Sequence, residues 1–317
     1  MNIKGKLIFL INIVIICSLL YLFFGVNFQN EKLFHYSMKI RNLKFIAMVI
    51  TSFAIGGASI VFQSIINNTV VTPCLLGMNS LYMLIHTIVV FFFGSSSIIV
   101  INPNISFFID MFFMGIIGTI VYSLIFEKMN YNILYIMLIG TVLSSFFLSI
   151  QKTLVRMMDP NEFDALLASL VPSFNNINTS IIFLSIVFLV FVIYFLRKEL
   201  CMLDVLVLGK EQSINLGIDY DKCIKKLLLG VTLCIAIATA MVGPISFLGL
   251  IIANLSREYL KTYKHIYLIL VSSLFGIIVL VGGQFIVERI YKYTIPINVF
   301  ITIGGGIYFL YLLVRKK

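Results

Sequence analysis

Charge is what this 317-residue sequence has least of: acidic and basic side chains make up 11% of it, against 61% hydrophobic residues. A soluble domain uses about 25% charged residues. A mean hydropathy of +1.09 therefore excludes a water-soluble globule and leaves no room for a soluble catalytic domain. Tryptophan is absent. The five cysteines, Cys17, Cys74, Cys201, Cys223 and Cys234, form no C-x-x-C pair and mostly sit in apolar runs, so they read as free thiols rather than a disulfide framework or metal site. His35, His86 and His265 are scattered. There is no H-E-x-x-H, no carboxylate pair on one helical face of a span, and no G-x-x-x-x-G-K-[ST]. A membrane metalloprotease would lack its ligands, and any ATP must be hydrolysed by another chain.

What is there is apolar sequence in lengths that suit a bilayer. A spanning helix needs about 20 mostly apolar residues. Hydropathy marks ten segments, at 7–24, 45–66, 74–93, 105–126, 132–154, 179–196, 224–243, 245–256, 266–287 and 296–314, the eighth of them short. The expectation is an all-α polytopic membrane protein, one permease-like unit over residues 1–317. The first segment follows Lys4 and Lys6 as a secretory signal would, but it is long enough to span and no clean small-residue cleavage site follows, so it reads as a retained helix. With the amino terminus inside, about two-thirds of the lysines and arginines fall on the inner side, among them Lys128, Lys210, Lys226, Lys316 and Lys317. That bias predicts an even number of spans with both termini cytoplasmic. It also places the net charge of +10 in the topology rather than in a nucleic-acid site.

Two polar stretches interrupt the pattern. Residues 197–226 form the longest inner loop, and within it the amphipathic run Leu208–Leu216 lies between Gly209 and Gly217. A short surface helix closed by a glycine fits that spacing. On the outer side, Asp159-Pro160 predicts a turn followed by a brief helix, with Asn161 as its cap.

Gly243-Pro244 ends one helix and starts another, because proline lacks the amide donor yet suits a first helical turn. The freed backbone groups cannot face lipid, so the break must be buried against protein or line a wet cavity. Gln63 and Asn68 are polar groups in or at the end of an apolar helix and must likewise face protein or water. Both interhelical hydrogen bonding and contact with a transported molecule fit them. Gly56-Gly57-Ala58-Ser59 and the Gly115/Gly118 pair read as close helix contacts.

Four blocks then fall in register over most of the chain. "RNLKFIAMVITSFAIGGASIVFQSIINNTVVTPCLLG" runs from Arg41 to Gly77 and "LGKEQSINLG" from Leu208 to Gly217. "GPISFLGLIIANLSR" runs from Gly243 to Arg257, and Ile295 to Leu313 holds Pro296, Gly305 and "FLYLL". In these blocks the chain resembles the FecCD-type permeases of bacterial ABC importers, a family that moves iron-siderophore complexes, haem and vitamin B12. It departs from the family pattern at Leu43, Lys44, Thr69, Ser213, Ala253, Asn254, Asn298 and Ile307.

The resemblance implies a type II importer permease in the bacterial cell membrane, carrying out no covalent chemistry and binding no cofactor. Its implied partners are a second permease subunit, two cytoplasmic ATPase subunits that use the ATP, and an extracytoplasmic substrate-binding lipoprotein. The departures point to a heterodimer of permeases, with a homodimer as the alternative. Arg41, Lys44 and Arg289 would receive the binding protein. Leu208, Gly209, Glu211, Ser213, Leu216 and Gly217 would form the knob that couples to the ATPase. Gln63, Asn68, Gly243 and Pro244 would belong to the translocation pathway and its helix break. The implied cargo is a ferric siderophore. Haem or cobalamin within the same family, a zinc or manganese ABC permease, and a secondary transporter are the rival readings.

Overall fold

A computed structural model describes residues 3–26, 30–128, 133–175 and 177–315, with only the backbone of Ile133, Leu313 and Arg315. Lys316 and Lys317, counted above among the inner cations, lie outside the described residues.

The described chain is helical throughout: α1 (Ile3–Phe23), α2 (Glu31–Ile66), a π turn (Cys74–Met78) leading into α3 (Asn79–Phe93), α4 (Ile98–Ile101), α5 (Pro103–Lys128), α6 (Ile133–Arg156), α7 (Pro160–Leu170), α8 (Thr179–Phe195), α9 (Arg197–Leu206), α10 (Lys210–Asn215), α11 (Tyr220–Val242), α12 (Leu248–Leu260), α13 (His265–Arg289) and α14 (Ile297–Arg315). Each of the ten expected segments corresponds to one of these helices. Among the described residues seven helices are long and apolar enough to cross a membrane, and the pair α8–α9, bent by 55°, makes up to eight. The short eighth segment is α12, with 13 residues.

Local chemistry sets the ends. Asn30 caps α2 by accepting from the Lys32 and Leu33 amides, and Asn67, in the left-handed conformation, closes it. There the Asn68 N–H reaches Gln63 O at 3.0 Å and the Asn67 N–H reaches Ser64 O at 3.2 Å, the paired bonds of a Schellman motif. One expectation needs correction. The cap position of α7 is Asp159 and not Asn161, because Pro160 already occupies the first turn, where its fixed φ and missing N–H are suited. Residues 197–226 also hold a helix besides the short one expected: α9 follows α8 directly, turning at Leu196 to bury Glu199, Leu203 and Leu206.

The core lies between α2, α11 and α13. A Cβ on Gly56 would sit 3.1–3.2 Å from Ser272 and Ser273, and one on Gly276 would sit 2.9 Å from Ser52. Without a hydrophobic force between helices in lipid, such small-residue contacts let backbones approach and gain dispersion. Gly115 and Gly118 do the same for α5, against Leu233 and Thr232 of α11. By contrast α1, α6, α8 and α14 leave large apolar side chains exposed, among them Phe9, Leu138, Phe191 and Ile307, as a bilayer-facing surface must.

Candidate functional site

The structure groups the predicted docking residues in one groove and the coupling residues in one knob, with the Gly243–Pro244 break and the Gln63–Asn68 turn as separate features. For the groove, α2 supplies Arg41 and Lys44, the last turn of α13 supplies Glu288 and Arg289, and the segment after it supplies Tyr293; together they line it. Arg41 Nη1 donates to the carbonyls of Tyr21, Leu22 and Phe24 at 3.1, 2.8 and 3.0 Å. Arg289 donates to Phe24 O as well and stacks on the Phe24 ring. Both arginines therefore satisfy the unpaired carbonyls where α1 ends, and place positive charge at the negative end of its dipole.

Lys44 is different. Its ammonium is 3.2 Å from Glu288 Oε1, with both side chains 9% exposed, and 3.2 Å from the Tyr293 hydroxyl. Glu288 Oε1 also accepts from Tyr21 Oη at 3.1 Å and Gln284 Nε2 at 2.9 Å. Lys44 thus sits behind the groove in a neutralised pair, while Arg289 is exposed and Arg41 half-exposed at its surface. Three cations around one carboxylate leave this mouth electropositive.

The break spans Gly243 to Phe247; Gly243, Pro244 and Ile245 are buried, and Ser246 and Phe247 are half-buried. Gly243 has φ +97°, and a Cβ there would lie 3.0 Å from Pro172 Cα; the Ser173 amide bonds Val242 O at 3.0 Å. Asn79 Nδ2 donates to Ser246 Oγ at 3.2 Å. The freed Val242 carbonyl is thereby met by the segment after α7, as a break in hydrocarbon requires, and α3 holds the Ser246 side chain.

Gln63, 1% exposed, ties helices together. Its Nε2 donates to Thr69 O at 2.8 Å and its Oε1 accepts from Arg257 Nε at 3.3 Å. Arg257 Nη2 reaches Ser64 Oγ at 2.9 Å, and Asn254 Nδ2 donates to the same Thr69 carbonyl at 2.8 Å. Asn68 turns the chain by accepting from the Val70 amide at 2.8 Å. The interhelical bonding open to Gln63 in sequence is in place.

The knob is α10 with its flanking glycines. Gly209 (φ +103°) precedes α10, and Gly217 (φ +82°) follows it. The Ile218 N–H bonds Ser213 O at 3.0 Å and the Gly217 N–H bonds Ile214 O at 2.9 Å, again a Schellman closure. Ser213 is fully buried, its hydroxyl held by Gly209 O at 2.7 Å and Val205 O at 3.1 Å. Leu208, Ile214 and Leu216 are all more than half exposed, and Glu211 is exposed. A small rigid helix therefore presents three bare aliphatic side chains and a carboxylate, the chemistry of a surface that seats in a partner's groove. Next to it Asp219 caps α11, accepting from the Lys222 ammonium at 2.7 Å and the Lys222 amide at 3.3 Å. Those bonds hold its carboxyl below the usual range.

One cluster was missed in the sequence. His86 Nδ1 lies 2.8 Å from Asp110 Oδ2 and His86 Nε2 lies 2.9 Å from Ser169 Oγ, which joins α3, α5 and α7. His86 stacks on Tyr82, with ring centroids 5.9 Å apart.

The chain is matched over residues 7–315 by a family model described as the FecCD transport family. The chain belongs to that family. It is 42% identical over 313 residues, covering 98% of both chains, to the petrobactin import system permease protein YclO of Bacillus subtilis (strain 168). It is 30% identical over 282 residues, 88% of this chain and 79% of the other, to the petrobactin import system permease protein FatC of Bacillus anthracis. Its fold is also that of a solved metal-chelate type ABC transporter in an inward-facing conformation, at a TM-score of 0.81 and 20% identity, covering 99% of this chain and 100% of that one. This FecCD chain is a multi-pass membrane permease.

Proposed function

We propose that this chain is the membrane-spanning subunit of an ATP-driven importer of ferric siderophore complexes, set in a bacterial cell membrane with both termini and the α10 knob cytoplasmic. The observation that carries the cargo is the 42% identity, over 98% of both chains, to a permease of petrobactin import. On this reading the electropositive groove at Arg41 and Arg289 receives acidic side chains of a substrate-binding lipoprotein, with Lys44 and Glu288 holding its floor. The knob from Leu208 to Gly217 seats in a cytoplasmic ATPase, of which two copies serve a pair of permease subunits, a heterodimer in preference to a homodimer. The chain itself binds no cofactor. ATP is used by the partner, and its closure tilts the spanning helices so that the pathway opens to one side at a time. Gly243 and Pro244 place a non-helical segment within the bundle, where such a movement can hinge.

Haem, cobalamin, zinc or manganese cargo, and ion-coupled secondary transport, compete with this reading. A secondary transporter needs ionisable groups inside the membrane to couple an ion. Here Asp110 is paired with His86 and Glu288 with Lys44.

The test is uptake into proteoliposomes holding this chain with its neighbouring permease, ATPase and binding protein. Radioactive ferric siderophore should accumulate only with ATP and binding protein present. Uptake by this chain alone under an ion gradient, or equal uptake of free zinc or manganese, would overturn it.

A further inference from the structure

The groove and α9, the helix just before the knob, are joined by a single helix. α13 runs from His265 to Arg289, 25 residues, which at 1.5 Å per residue is roughly 37 Å. Its last turn carries Glu288 and Arg289 into the groove. Its first turn has no side-chain cap of its own, since Lys264 provides none. The missing acceptor comes instead from α9: Asp204 Oδ1 takes the His265 backbone N–H at 2.9 Å and His265 Nδ1 at 2.5 Å. A carboxylate at that position also meets the positive end of the α13 dipole.

α9 holds the knob too. Val205, the next residue, accepts the Ser213 hydroxyl of α10 at 3.1 Å, and Glu199, on the buried side, is gripped by Lys226 of α11 at 2.7 Å. The competing route from α10 into α11 is the Lys210–Asp221 pair, whose side chains are 47% and 50% exposed. Exposed pairs of that kind contribute little and are screened by salt. The Asp204 clamp, with two hydrogen bonds to one carboxylate and His265 buried, is the stiffer link.

We propose that the Asp204–His265 clamp makes α13 the rod that connects the knob to the groove, so that docking of the binding protein outside is felt by the ATPase inside, and the reverse. This inference rests on the assignment of knob and groove made above. Asp204 is a positioning residue: its Oδ1 is taken up by the His265 amide and ring, and it acts by fixing the end of α13 to the helix that precedes the knob. Coupling between two surfaces is a reciprocal free energy, so losing the clamp should weaken communication in both directions without weakening either surface alone.

The experiment uses the complete reconstituted complex and reads ATP hydrolysis with and without loaded binding protein. In Asp204→Asn the stimulation by binding protein should fall by about tenfold, the loss expected when a charge-assisted hydrogen bond is removed, while the unstimulated rate and ATPase co-purification stay within about twofold. A double-mutant cycle pairing Asp204→Asn with Arg289→Gln should show non-additive effects on stimulation across the full length of α13. Unchanged stimulation and uptake in Asp204→Asn would overturn the rod. So would additive effects in the cycle. If Asp204→Asn does not assemble, His265→Phe removes only the ring bond, leaves the backbone bond, and should lower stimulation partially. Full stimulation in that variant would equally refute the proposal. A wild-type complex that recruits no ATPase would instead sink the importer assignment itself, which keeps the two failures distinct.

Discussion

Lys44 offers the sharpest quantitative test, because its environment sets it apart from the other two cations of the groove. Replacing it with methionine leaves the Glu288 carboxylate in a site where the side chain is 9% exposed, with the Tyr21 hydroxyl, the Gln284 amide and the Tyr293 hydroxyl as its remaining donors. Removing one partner of a buried ion pair costs about 3–5 kcal/mol. Three neutral donors stay in place, so the lower end, about 3 kcal/mol, is expected. Removing both charges together, in Lys44→Met/Glu288→Leu, deletes the stranded carboxylate and should return most of that loss, giving a coupling energy of about 2 kcal/mol or more. Unfolding of the detergent-purified complex, followed by helical circular dichroism and by release of the ATPase, gives the four values of the cycle. Binding-protein affinity, measured on the same four proteins, should be near wild type in the double variant. Single variants within about 0.5 kcal/mol of wild type, with additive effects, would refute the buried-pair argument. A stable double variant that no longer binds the binding protein would show that Lys44 makes contact itself.

Gly243→Ala should destabilise by about 1–3 kcal/mol and slow transport, because a side chain at φ +97° is strained and would press on Pro172; thermal unfolding and uptake assays check it. His86→Leu leaves the buried Asp110 carboxyl without its hydrogen-bond partner and should cost about 1–3 kcal/mol, whereas His86→Leu/Asp110→Leu should recover much of it in the same unfolding assay. Gly276→Val should drive α2 and α13 apart by overfilling the contact with Ser52, costing about 1–3 kcal/mol and lowering the yield of assembled complex on gel filtration.

What could be read in the sequence follows from the range of the forces involved. α10 was legible because Gly209 and Gly217 mark positive φ at both ends of a six-residue helix, a purely local signal. The break was legible because Gly-Pro acts within one turn. The short α12 was legible because hydrophobicity gives way to Arg257. α9 was not, since its three buried positions, Glu199, Leu203 and Leu206, include a charge that only the Lys226 contact makes tolerable. The separation of Lys44 from Arg41 was not legible either, because both are basic residues on one helix and the carboxylate that distinguishes them lies 244 positions away. His86, Asp110 and Ser169 sit on three helices, and nothing in the periodicity of any one of them announces the others. The grouping of Arg289 with Arg41 was reached through resemblance. Its physical basis, the shared carbonyls at the end of α1, emerges only in three dimensions.

Phe247 adopts φ +60° without being glycine, at a cost of about 1–2 kcal/mol. It is held there by α14, whose Gly305 leaves room for its side chain and whose Phe309 meets its ring edge-on, with centroids 6.5 Å apart. During synthesis α14 is the last of these helices to leave the ribosome. The bend before α12 therefore acquires its clasp only once α14 has emerged, and insertion of the preceding helices must proceed with that corner still unfastened.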